Sequence, residues 1–317
     1  MRVLFTGGGG AGSQALWDLL HDRYEIAFAD PDPARIPPDI PRARAHFVPM
    51  ATSSEFLPSV MALCRQESID LLVPGVDEEL EQLADHREDF GATKLMSPES
   101  TYIRTMLDKF DTAQALSDAG VRAPETQLLR TGVPWHDFPC IVKPRVGRGS
   151  RGVSVVENVE ALAGQASSLG EMASGYVVQE LIAGQEYSVQ VISDNKAELQ
   201  AIFPARIDIK RGITLRATGE ENAAVVAAVV AIHHALPASG SVNVQGMLTA
   251  EGEFVVFEIN PRISTTLCLA VASGLDPIAL FAADGPADPL VEFESGTTLE
   301  RYWNNHFTRM SNEANND

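Results

Sequence analysis

The apolar positions of the first hundred residues come in short runs, and those runs alternate with stretches of helical period. Residues 3–5, 25–29 and 69–73 are brief, nearly continuous apolar segments. Residues 13–21, 53–66 and 77–88 instead carry apolar side chains at three- and four-residue spacing. Strands alternating with helices predict a parallel, doubly wound sheet. Helix continues over 98–120, from a start signal at Ser97-Pro98-Glu99 to a stop at Gly120. Beyond residue 126 the rhythm changes. Strands are expected at 139–143, 153–156, 176–180, 186–193 and 197–203, joined mainly by turns, with one helix near 158–169. This is α+β character with antiparallel pairs. An Ala/Val-rich helix over 220–236 precedes a hairpin, strand 242–249 returning as 253–260 through a turn at Glu251-Gly252. Helical segments follow over 264–283, and the polar tail 310–317 is expected to be disordered.

Composition narrows the class. The 317 residues are 45% hydrophobic and 21% charged, an ordinary globular balance with room for two domains. No run approaches the roughly eighteen apolar residues that a membrane span requires. Met1-Arg-Val-Leu-Phe-Thr6 passes straight into Gly7–Gly10 without the apolar core of a signal peptide. Cys64, Cys140 and Cys268 are far apart in apolar surroundings, which fits neither a disulfide framework nor a zinc site, so a cytoplasmic location is expected. A net charge of −19 argues against nucleic acid and against anionic membranes. Yet Lys143, Arg145, Arg148 and Arg151 fall within nine residues, and Arg206, Lys210, Arg211 and Arg216 within eleven. In an acidic chain such clustering predicts a focused site for a small polyanion; two solvated basic loops are the alternative.

Two glycine loops stand out. Gly7-x-Gly9-x-x-Gly12 follows a strand and opens a helix, with Asp30 eighteen residues on, which is the dinucleotide-binding fingerprint. It points to an NAD-dependent oxidoreductase, but no catalytic His–Asp or Tyr–Lys pair is evident downstream, and the glycines can equally serve a tight turn and close packing. In the second loop a strand ends at Lys143-Pro144 and runs into Gly147-Arg148-Gly149-Ser150-Arg151-Gly152. Such glycines let backbone N–H groups form an anion cradle beside a lysine. The loop leads into a strand, so it is not a P-loop. Val177-Val178-Gln179-Glu180-Leu181-Ile182 offers an apolar wall for a base, and Glu186 beyond it an acceptor for ribose hydroxyls.

The C-terminal hairpin carries the metal chemistry. Gln245 and, thirteen residues on, Glu258 and Asn260 would converge, because residues two apart on a strand share a face. Three oxygen donors with one charge suit Mg²⁺ shared with water and nucleotide phosphates better than free Ca²⁺. Arg262 follows as a fixed cation for a phosphoryl group. A surface hairpin that ends in Glu and Asn is the alternative.

In chain order, Asp108-Lys109-Phe110, Phe138-Pro-Cys-Ile-Val-Lys143-Pro144 with its glycine loop, Gln179-Glu180…Glu186-Tyr-Ser-Val, and Gln245…Glu258-Ile-Asn260-Pro-Arg262 resemble the ATP-grasp superfamily. The likeness is to single-module relatives of the carbamoyl-phosphate synthase large subunit, over about residues 1–305. It implies an α/β plus α+β fold: a Rossmann-like pre-ATP-grasp domain over 1–97, then a two-subdomain ATP-grasp fold. The small subdomain with linker helices would cover 98–182, the C-terminal subdomain 183–309, with the tail at 310–317. ATP would lie between the subdomains. The resemblance implies phosphate contacts from Lys109 and Lys143, a covering loop of Gly147, Gly149 and Ser150, an adenine hinge at Glu180 and Ile182, and ribose binding by Glu186. It assigns Gln245, Glu258 and Asn260 to one or two Mg²⁺ ions, with Mn²⁺ as an alternative, and Arg262 to the phosphoryl group. Arg206 is expected in the substrate site, with Lys210, Arg211 and Arg216 as further candidates.

The implied activity is that of an ATP-dependent carboxylate–amine (or thiol) ligase working through an acyl phosphate. Its partners would be small-molecule carboxylates and amines, with a homodimer allowed. Ile263-Ser264-Thr265-Thr266 lacks the further arginine common in the synthetase, and one module lacks a second phosphorylating half. A stand-alone ligase therefore fits better than carbamoyl phosphate synthesis or a carboxylate kinase of that type. A nicotinamide oxidoreductase and a non-catalytic nucleotide-binding regulator are the other readings.

Overall fold

A computed structural model describes residues 1–147, 149 and 151–302. The apolar runs of the N-terminal third form a parallel five-stranded sheet of order β3-β2-β1-β4-β5. Its strands are β1 (Arg2–Thr6), β2 (Glu25–Asp30), β3 (Ala45–Phe47), β4 (Leu71–Val73) and β5 (Lys94–Leu95). Alternation along each strand feeds two cores, as a doubly covered sheet demands. Val3, Phe5, Ile26 and Phe28 pack with Leu16 and Leu20 of α1 (Ser13–Leu20). Leu4, Ala27 and Leu72 pack on the other face with Phe56, Val60 and Leu63 of α2 (Phe56–Gln66). The chain leaves β1 toward one edge of the sheet and β4 toward the other. The crevice between their C-terminal ends is thus flanked by the Gly7–Gly12 loop and by the turn into α3 (Asp77–Asp85).

The expected helix over 98–120 is two helices, α4 (Ser100–Leu107) and α5 (Lys109–Asp118). Asp108 separates them in extended backbone, and its carboxylate accepts from the N–H groups of Phe110 and Asp111 as the N-cap of α5. A four-stranded antiparallel sheet follows, of order β6-β9-β7-β8. It comprises β6 (Thr126–Leu128), β7 (Cys140–Pro144), β8 (Ser154–Val156) and β9 (Tyr176–Glu180). Leu162 and Ala166 of α6 (Val159–Leu169) cover one face through Cys140, Val142 and Val178.

The last sheet has six strands in the order β14-β13-β10-β11-β12-β15. They are β10 (Gln185–Ser193), β11 (Leu199–Arg211), β12 (Ile213–Gly219), β13 (Gly240–Leu248), β14 (Phe254–Asn260) and β15 (Thr298–Glu300). Tyr187, Val189 and Val191 alternate onto Val225, Val229 and Ile232 of α7 (Ala223–Ala235). Ile192, Phe203, Ala205 and Ala217 face α8 (Leu267–Ala272), which also packs with α1 against the parallel sheet. Helix over 264–283 is realised only as α8 and α9 (Pro277–Phe281), interrupted at Gly274, whose φ of +97° favours glycine. The strand expected at 197–203 continues to Arg211 and returns as β12, so the second basic cluster lies on a long hairpin. Among the described residues no helix is long and apolar enough to cross a membrane. The tail 310–317 lies outside the described residues.

Candidate functional site

The cleft between the four- and six-stranded sheets holds a cavity of about 220 Å³. Lys109, Lys143, Gly147, Gly149, Glu180, Ile182, Glu186 and Glu258 all line it. Strand period explains the β7 contribution: Cys140 and Val142 point into the α6 core, leaving Ile141 and Lys143 for the cleft. Against the net charge of −19, the lining also contains Arg151 and Lys210.

Two of the lining cations are paired with lining carboxylates. The Lys109 ammonium donates to the Gly147 carbonyl at 2.8 Å and lies 3.3 Å from the Glu258 carboxylate. Lys210 pairs with Glu186. Lys143 is buried 5.6 Å from the centre of the Phe257 ring. Burial pushes its amine down to about 8; Glu258 opposes the shift, whereas Lys109 and Lys210 reinforce it. Glu180 is held from behind by Arg122 at 3.1 Å and accepts from the Glu125 N–H at 3.0 Å.

Phe257 and Met247 line the cavity and escaped sequence reasoning. Gln245 pairs with Glu258 but the next pair is Gly246 with Val256, so Phe257 is the extra residue of a bulge. The bulge lets consecutive residues, Phe257 and Glu258, both serve the cleft. A signal existed: a glycine inside a strand often marks such a site, and a Cβ on Gly246 would meet the Phe254 ring at 2.6 Å.

The ladder sets Gln245 opposite Glu258 and Asn243 opposite Asn260, which puts these side chains on one face. Asn243, also missed, is buried and accepts from the Ser188 hydroxyl at 2.7 Å. Gln245 and Asn260 flank the cavity without lining it. Among the described residues no three His, Cys, Asp or Glu side chains gather as a metal site. One carboxylate with amide oxygens fits a hard cation that arrives already sharing phosphate oxygens.

The second glycine loop is conformationally glycine-dependent: φ is +142° at Gly147, +68° at Gly149 and +71° at Gly152. Ser150 and Arg148 lie outside the described residues. The first loop differs. Its Gly9 N–H donates to the Asp30 carboxylate at 2.8 Å, so the acid of the fingerprint is engaged within the loop. A Cβ on Gly8 would meet Phe28 at 2.8 Å, and one on Gly7 would meet Val76 at 2.7 Å.

Four predicted cations, Arg206, Arg211, Arg216 and Arg262, are not in the cleft lining. Arg206 pairs with Tyr187 in the ladder and therefore projects on the α7 side, where it bonds Glu220 and Asp208, each at 2.9 Å. Lys210, beyond two register shifts, is the residue of this hairpin that reaches the cleft. Arg262 bonds Asp77 and the Ile263 carbonyl. Behind Asp77, the buried Glu79 carboxylate accepts from Thr6, Gly75 and Val76, and burial pushes it up to about 7.

Residues 106–266, half of the chain, match the model of the ATP-grasp domain. The carbamoyl phosphate synthase large chain of Rubrobacter xylanophilus is 26% identical over 304 residues, covering 86% of this chain. This chain spans 28% of that relative's length. Among solved structures, N5-carboxyaminoimidazole ribonucleotide synthetase in its ADP complex superposes with a TM-score of 0.69 at 16% identity, covering 93% of this chain and 78% of its own. The L-amino acid ligase of Bacillus licheniformis gives 0.64 at 16% identity, covering 86% and 70%. The mixed α/β architecture is the ATP-grasp fold, and the chain belongs to the ATP-grasp family.

Proposed function

We propose that the chain is a carboxylate–amine (or thiol) ligase of small-molecule metabolism that forms an acyl phosphate and releases ADP and phosphate. The observation that carries this reading is one cleft where Lys109 and Lys143 meet Glu258 beside an apolar wall. Residues 1–97 would be the Rossmann-like pre-ATP-grasp domain, 98–182 the small subdomain and 183–309 the C-terminal subdomain. All three cysteines are buried and unpaired, in keeping with a cytoplasmic enzyme.

The base would sit among Ile182, Met247 and Phe257, with Glu186 accepting from ribose hydroxyls. Lys109 and Lys143 would donate to phosphate oxygens, leaving Glu258 for the metal. Gln245, Glu258 and Asn260 would hold Mg²⁺, or Mn²⁺, which when bound would supply positive charge to phosphate oxygens. The substrate carboxylate attacks the γ-phosphorus in line, ADP leaves, and positioning with charge neutralisation does most of the catalysis. Arg262 would neutralise the phosphoryl oxygens in flight. The amine then attacks the acyl phosphate, and inorganic phosphate departs as the new bond forms. Closure of the 147–152 loop would keep water from the acyl phosphate. Lys210 replaces Arg206 as the cation of the β11–β12 hairpin assigned to the site.

L-amino acid ligase and N5-carboxyaminoimidazole ribonucleotide synthetase, by their names a ligase and a synthetase, support this reading. The test is a screen for ADP release over pairs of carboxylates and amines, with product mass identified. ADP release that needs a carboxylate but never an amine or thiol would favour a carboxylate kinase. Thermal stabilisation by NADH without any by Mg-ADP would overturn the ligase reading.

A further inference from the structure

We propose that Asp77 is a positioning residue for phosphoryl transfer, so that the parallel-sheet segment contributes to the chemical end of the ATP cleft. This rests on the ATP-dependent reading above. Arg262 lies two residues beyond Asn260, and its Nε donates to the Asp77 carboxylate across a sequence separation of 185. Their side chains are only 13% and 15% exposed, so water screens the pair weakly. Nη1 of Arg262 donates to the Ile263 carbonyl at 2.9 Å. Nη2 makes no hydrogen bond to another described residue. The guanidinium is therefore fixed through two nitrogens, with the third left for a ligand oxygen.

Asp77 is itself held firmly. It is the first residue of α3, where a helix N-terminus favours a carboxylate. The turn before it is tied down by Glu79, which accepts from Gly75 N at 2.9 Å and Val76 N at 3.0 Å. A Cβ on Gly75 would come within 2.5 Å of the Thr6 carbonyl, so β1 presses on the same turn. A different arginine shows what a surface clamp looks like here. Arg104 gives Nε to Glu81 and Nη2 to both oxygens of Asp85, while half exposed. Arg262 differs in being largely withdrawn from water, bonded to a single acid, and next to the strand that carries Glu258.

The experiment uses the full chain and compares Mg-ADP with the Mg complex of the β,γ-imido analogue of ATP, alongside ADP release from Mg-ATP. In Asp77→Asn the Kd for Mg-ADP should stay within about twofold, while affinity for the imido analogue falls about tenfold, the scale of one charged hydrogen bond. The kcat/KM for ADP release should drop by at least a similar factor, with KM for ATP rising as the imido-analogue affinity falls, and Asp77→Glu should recover part of both. Equal losses for both nucleotides, or none, would reduce the pair to a clamp between sheets and overturn the proposal. Should Asp77→Asn fail to fold, Asp77→Glu and Arg262→Lys carry the same comparison. A double variant whose losses simply add would also overturn it. A wild-type chain that binds neither nucleotide overturns the ATP-dependent reading and this proposal together; normal wild-type binding with an unaltered ratio in the variants overturns this proposal alone.

Discussion

The two glycine loops look alike in sequence and are built for opposite ends. In Gly7–Gly12 the missing side chains are replaced by neighbours: Phe28 and Ile36 against Gly8, Asp30 and Arg35 against Gly9, Val76 against Gly7. At these three positions glycine leaves room for neighbouring side chains. In Gly147–Gly152 a Cβ on Gly149 would meet nothing within 4 Å, but φ is +68°. There glycine supplies backbone freedom beside a buried lysine. A spacing pattern cannot tell these uses apart, because both require the same residue for different reasons.

The largest effect expected is on the second loop's own cation. Lys143→Met should weaken Mg-ADP binding by about 30-fold or more, the scale of charge-assisted hydrogen bonds to phosphate. Thermal stability should hold or rise, since methionine spares a desolvated ammonium. Calorimetric titration with a melting curve decides this. A variant that binds normally would show that Lys143 faces no phosphate.

Gly8→Ala tests the first loop. Its Cβ would approach Phe28 Cβ at 2.8 Å and Ile36 at 3.2 Å, an overpacking that costs about 2 kcal/mol. The midpoint in urea should fall while Mg-ADP affinity stays put. Loss of nucleotide affinity with stability intact would return a ligand role to this loop.

A smaller effect follows from the Lys143 amine, held near 8 in the free protein. Bound phosphates favour the ammonium form, so binding raises its pKa and takes up a proton when the pH is near or above 8. Mg-ADP affinity should be flat below pH 8 and decline above it, by at most about tenfold per pH unit. Titration in two buffers of different ionisation enthalpy measures the proton directly. Zero uptake at pH 8.5 would break the link between this lysine and the nucleotide.

Much of the fold was readable because strand and helix periods differ: the alternation of 3–5, 25–29 and 69–73 with helices announced the parallel sheet. β3, β5, β6 and β15 are too short to show a period. In the cleft, Lys143 and Glu258 were readable because motif spacing kept them together with local strand geometry. The sequence ranks Arg206 above Lys210, yet Lys210 lines the cleft, because the side on which each falls depends on pairing with β10 and on two register shifts. Phe257 reached the cleft through a bulge. Asp77 and Arg262 meet across 185 residues of chain, with no local signal for the contact.

Gly149→Ala sharpens the comparison through the smallest effect. With φ at +68°, alanine pays about 1 kcal/mol for the left-handed conformation, although no atom stands in its way. If the loop makes few contacts in the free protein, it can relax to a right-handed conformer and leave the melting temperature almost unchanged. Nucleotide binding must then restore the cradle, and affinity should fall by no more than about fivefold, the equivalent of that strain. The expected pattern is the reverse of Gly8→Ala: affinity lost with stability kept, against stability lost with affinity kept. Melting curves and Mg-ADP titrations on the two variants give four numbers, and a Gly149→Ala protein that melts early yet binds normally would show that both loops are packing glycines.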